Sequence, residues 1–138
     1  MEFKRLIYND IFYGFYKIDK LSNRQSIGIF FTEYSTGKRS YYNVAMAIAN
    51  KRKYILDWIL DNYSFENKST GKCGLEGLVW AKKRLIEFEK SEHVRIGDVI
   101  EISWSDNRRR DAYEHALKKI GYEIKYIPYK CLCKTITE

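Results

Sequence analysis

From residue 3 to residue 34 the chain is dense in Ile, Phe and Tyr, broken at short intervals by polar residues. These side chains suit a pleated, half-buried surface, and the pattern predicts strands over 3–8, 11–18 and 26–34. Asn9–Asp10 can turn the chain, 20–24 makes a longer polar loop, and Ser35-Thr36-Gly37-Lys38 reads as a hairpin turn into a fourth strand from 39 to about 43. Beyond it Ala45, Ala47 and Ala49 favour helix, and Val44, Ile48, Ile55, Trp58 and Ile59 can share one face. One helix over 44–63, or two shorter ones, is therefore expected. The polar, glycine-bearing stretch 64–74 reads as a loop.

The second half carries a plainer pattern. Over 74–90, Leu75, Leu78, Val79, Leu85 and Ile86 fall on one side of a helix, with Lys82, Lys83, Glu87 and Lys90 mostly on the other. A short strand is expected over 99–104. Ser105, Asp106 or Asn107 can cap a following helix in which Tyr113, Ala116, Leu117 and Ile120 fall at i, i+3, i+4, i+7. Gly121 stands where a C-terminal cap is expected, and a strand over 122–127 follows. Pro128 interrupts it, and 129–136 reads as a last edge or paired strand. The order predicts one α+β domain over residues 1–138: N-terminal antiparallel strands, a helical layer, then helix–strand–helix–strand completing a mixed sheet. The final unit allows two parallel strands joined by a right-handed crossover.

Composition narrows the class. With 138 residues, 45% of them hydrophobic and 16% aromatic, the chain can bury a core without staples. No apolar run is long enough to cross a bilayer, and residues 1–10 lack the apolar region of a signal peptide, so no membrane partner is expected. Three cysteines, an odd number, argue against a secreted disulfide framework and for the cytoplasm. The net charge of +7 suits an anionic partner such as nucleic acid, a nucleotide or a phosphorylated cofactor. It also suits the Lys-, Ile- and Tyr-rich usage of an AT-rich genome, such as that of a low-GC bacterium or its phage.

Several groups could carry chemistry. Around Ser69–Gly74, loop amides and the positive end of a helix converge beside Lys72, which suits an anion; glycines chosen for backbone geometry alone would look the same. Arg108, Arg109 and Arg110 occupy a first helical turn, where the dipole disfavours cations, and so suggest an anionic partner or a basic solvated face offset by Asp106, Asp111 and Glu114. Asp10, Glu76 and Asp106 would be the carboxylates of a two-metal, ribonuclease-H-like reading. Cys73 beside Lys72 could be a nucleophile, with His93 or His115 as base; both histidines otherwise read as exposed. Cys131 and Cys133 share a face if extended. Basic residues interleaved with Tyr41, Tyr42 and Tyr54 could stack nucleic-acid bases.

One longer pattern remains. GKCGLEGLVWAKKRLIEFE, followed by IEISWSDNRRRDAYEHALKKIGYEI, resembles the second half of the GNAT N-acyltransferase superfamily over about two-fifths of the chain. In that family a loop ending in Arg/Gln-x-x-Gly-x-Gly/Ala opens a helix, and its amides bind the pyrophosphate of acetyl-CoA. A strand, a second helix and a Leu/Ile–Gly–aromatic ending follow. With Gly74 as the first motif glycine, Gly71 stands at the Arg/Gln position and Glu76 at the second small position. The resemblance implies cofactor contacts from Lys72, Cys73, Gly74, Leu75, Glu76 and Gly77, beside two parallel strands that part. The family tyrosine that protonates the departing thiolate lies four residues before the closing glycine, at Leu117 here; Tyr113, one turn earlier, is the nearest candidate. The implied activity is acyl-CoA-dependent transfer to an amine, with Glu33, Glu76, Glu101 and water all open as the base. The alternatives are a non-enzymatic basic protein that binds nucleic acid or a nucleotide-like anion, and a small phage effector that binds a host protein.

Overall fold

Asn9 and Asp10 hold φ values of 51° and 63°. That left-handed pair makes the tight two-residue turn whose twist matches a hairpin, and it joins β1 (Lys4–Tyr8) to β2 (Ile11–Lys20) with Tyr8 opposite Ile11. In this computed structural model, which describes residues 3–61, 74–102, 107–125 and 131–137, the elements continue with β3 (Ser26–Ser35), β4 (Ser40–Ala49), α1 (Arg52–Asp61), α2 (Gly74–Glu89), β5 (Val99–Ile102), α3 (Asn107–Leu117), a 3-10 turn (Lys118–Ile120), β6 (Glu123–Lys125) and β7 (Cys131–Thr135). The protein is α+β. Its strands form one mixed sheet in the order β1-β2-β3-β4-β5-β7-β6. Strands β1 to β4 are antiparallel neighbours, β5 lies parallel to β4, and β7 runs antiparallel to both β5 and β6.

One expectation is corrected here. Residues 44–49 are not helical: they are the second half of β4, paired along their length with β3 from Val44 opposite Phe31 to Ala49 opposite Ser26. The alternation explains it. Val44 and Ile48 face one buried side and Ala45, Ala47 and Ala49 the other, so both faces of the strand are covered. The alanines serve close packing, which overrides their helical propensity. Ile55 of α1 lies fully buried against them, and a Cβ on neighbouring Gly28 would come within 2.8 Å of its side chain. The expected helix begins only at Arg52. As expected, β5 and β6 run parallel in one sheet, on either side of β7.

The larger core fills the face covered by α2 and α3. Phe88 of α2 stacks on Phe31 at 3.8 Å between centroids, with Phe3 edge-on to both. Ala81 and Leu85 of α2 and Leu117 of α3 join Tyr42, Val44, Ile100, Ile102 and Leu132 from the sheet. The apolar face of α3 is thus buried as its spacing indicates: Leu117 is 2% exposed, and Tyr113, Ala116 and Ile120 pack half-buried on the same cluster. Gly121 closes that segment at φ 100°, and its amide bonds the Lys118 carbonyl. On the opposite face α1 packs Ile55 against Leu6, Phe30, Ala47 and Ala49.

Candidate functional site

Helix α2 opens at the carboxyl end of β4. Its first turn sits close because position 77 is glycine: a Cβ there would lie 3.2 Å from the Ile48 side chain and 3.3 Å from that of Ile27. The first N–H groups of a helix have no partner within it and carry its positive end. They are presented at the end of β4, the strand that pairs in parallel with β5. Among the described residues the β4–β5 ladder extends from Tyr41 opposite Val99 to Val44 opposite Ile102. Among the described strands this is the only parallel pair of neighbours. Carboxyl ends of parallel strands in an open sheet are where ligands characteristically bind.

Within that ladder stands Glu101, opposite Asn43 of β4 and Cys133 of β7. It is 7% exposed, and its Oε1 accepts a hydrogen bond of 2.7 Å from the Tyr34 hydroxyl. The Tyr34 ring stacks on Tyr41 at 5.0 Å and so reaches across β4 to the carboxylate. Buried carboxylates need such donors, and one held in a fixed orientation can accept a proton from a substrate. Glu101 was one of several open positions for a base. That Tyr34 would orient it could not be read locally, because the pair is 67 residues apart.

The other expected site residues divide. Gly74 begins α2, Leu75 is 78% exposed, and Gly77 is buried as a packing residue. Glu76 turns outward and binds Ser22 of the β2–β3 loop: the Ser22 amide donates to Oε1 at 2.8 Å and the Ser22 hydroxyl to Oε2 at 2.6 Å. These bonds, the hydroxyl first, hold its carboxyl below the usual carboxylate range. Lys72 and Cys73 lie outside the described residues, as does Asp106. Arg108, Arg109 and Arg110 occupy the first turn of α3, as the pattern indicates; their side chains are outside what is described. Asp10 sits in the first hairpin turn. Among the described residues no group of three or more His, Cys, Asp or Glu side chains could hold a metal ion.

His115 is exposed, but His93, expected to be so, is half-buried with its ring stacked on Phe15 at 3.9 Å. Cys131 and Cys133 are free thiols on one face of β7. Burial, then Cys133 and Glu101, push the Cys131 thiol up to about 11. No described helix is long and apolar enough to cross a membrane. No family model, curated protein or solved structure matches the chain.

Proposed function

We propose that the chain is a diverged GNAT-like, acyl-CoA-dependent N-acyltransferase whose ligand slot lies between the carboxyl ends of β4 and β5. The observation that carries this reading is the first turn of α2 set close against the end of β4, the strand that pairs in parallel with β5. The succession β4, helix, β5, α3, β6 supports it, as does the Gly–aromatic ending at Gly121–Tyr122. The residues present can accommodate acetyl-CoA: Glu76 is drawn to Ser22, which leaves the first-turn amides of Leu75, Glu76 and Gly77 to meet a pyrophosphate with Lys72 and Cys73 before them. When bound, the cofactor supplies an activated acyl thioester. Glu101, oriented by Tyr34, would take the proton that an acceptor amine loses. Tyr113, the phenol on α3, would be the proton donor. Two free thiols and the odd cysteine count support a cytoplasmic setting.

Calorimetry with acetyl-CoA tests the reading. Wild type should bind and gain thermal stability, Gly74→Val should lose binding, and Glu101→Gln should bind normally while thiol release in the presence of amines falls about a hundredfold or more. No heat and no stabilisation at millimolar acetyl-CoA would overturn it. Binding unchanged in Gly74→Val would put the ligand elsewhere.

A further inference from the structure

At the opposite end of the same strand pair, where β4 and β5 begin, the β3–β4 hairpin and the segment over 93–98 face each other across a concavity of about 310 Å³. Its charged lining consists of Glu33, Lys38, Arg39, Arg95 and Asp98, with His93 on one wall. The walls are fixed. Asp98 accepts the Ser40 amide at 3.0 Å on one oxygen and the Arg95 amide at 2.9 Å on the other, tying hairpin to loop. Gly97 donates to the Ile136 carbonyl and Ile136 to the Asp98 carbonyl, both at 2.8 Å, which anchors the loop to the strand end after β7. Tyr42 sits 2.9 Å from the His93 carbonyl and 3.2 Å from Glu33 Oε2. Both carboxylates are thus engaged by structural donors, and among the described residues neither forms an ion pair with the cations beside it. Lys38, Arg39 and Arg95 are exposed and form no ion pair among the described residues.

We propose that this concavity binds a phosphate group, distinct from any ligand at the carboxyl ends of the strands. Arg39 and Arg95 supply forked guanidinium donors and Lys38 a point charge, a combination suited to an oxyanion with several oxygens and more than one charge. A volume of this size suits a small ligand. Glu33 Oε1, which has no partner among the described residues, can accept a hydroxyl from the group that carries the phosphate. The phosphate can come from a small sugar phosphomonoester or from the backbone of a nucleic acid; the chemistry recognised is the same.

Calorimetry at low ionic strength with inorganic phosphate, ribose 5-phosphate, ribose and a short single-stranded oligonucleotide tests this on wild type and on Arg39→Gln/Arg95→Gln. The arginines are exposed, so the double variant should melt as wild type does. Ribose 5-phosphate should bind wild type, ribose should not, and the double variant should bind about tenfold or more weakly through loss of two charge-assisted donors. An oligonucleotide that binds more tightly than ribose 5-phosphate, and is likewise weakened in the double variant, assigns the phosphate to a nucleic-acid backbone. The reverse order assigns it to a free phosphomonoester; either order upholds the site. Failure of all three phosphate-bearing probes to bind wild type at millimolar concentration overturns it, as does equal affinity for them in the double variant.

Discussion

The carboxylate of Glu76 holds both the amide and the hydroxyl of Ser22, at 2.8 and 2.6 Å. One residue thereby ties the start of α2 to the loop between β2 and β3, on the exposed side of the helix. The same bonds engage both oxygens of the Glu76 carboxylate with Ser22. In Glu76→Gln, the ionised acceptor is gone and the melting temperature should fall slightly at neutral pH. The pH dependence gives the sharper reading. Because the folded-state pKa is depressed, the contribution is fully present above the unfolded carboxylate value of about 4.3 and disappears as pH falls through the lower folded value. Thermal melts from neutral to acid pH should show wild type and variant converging at the acid end. A constant gap would mean that the charge of Glu76 contributes nothing.

Leu117 is the anchor of α3, 2% exposed among Ile100, Ile102, Tyr122 and Leu132. Leu117→Asp puts a carboxylate into that cluster, at a cost of about 3–5 kcal/mol. Denaturant unfolding is the measurement. A midpoint like that of wild type would show that α3 packs through another face.

Lys134 of β7 contacts Glu89 at the end of α2 and the Ile120 carbonyl after α3, while the Tyr122 hydroxyl donates to the other Glu89 oxygen at 3.0 Å. Burial, and then Glu89, raise the Tyr122 phenol well above its ordinary range. Removing the cation leaves a nearly buried carboxylate beside a phenol, so Lys134→Met should destabilise by about 3 kcal/mol. Adding Glu89→Gln should recover part of that loss. A double variant less stable than Lys134→Met would contradict the coupling.

Cys131, pushed from 9.0 to about 11, carries about a hundredfold less thiolate at neutral pH than an unperturbed thiol. Its alkylation by iodoacetamide in the folded protein should therefore be slower by at least about that factor than in the unfolded chain, as mass spectrometry of the peptide over time would show. A rate close to the unfolded one would mean that β7 opens readily. A thiol with a raised folded pKa also favours the folded state less as pH rises above its unfolded value, so stability should decline on the alkaline side.

The sequence by itself determined the features that depend on neighbours along the chain. Asn9–Asp10 dictated a tight turn, alternating Ile and Phe produced β1 to β3, and the apolar stripe of 74–90 produced α2 within a residue of its ends. The spacing of Tyr113, Ala116, Leu117 and Ile120 also identified the buried face of α3. Tertiary structure decided the rest. Ala45, Ala47 and Ala49 read as helix formers until β3 and α1 enclose them, because small side chains also permit close approach, and only packing separates the two uses. The insertion of β7 between β5 and β6 depends on hydrogen bonding between distant segments, which no local periodicity encodes. The same holds for the chemistry: Glu76 finds Ser22 across 54 residues and Glu101 finds Tyr34 across 67. A carboxylate in a sequence is only a charge; the strands that carry its partner determine whether it fastens a helix or is held within a sheet.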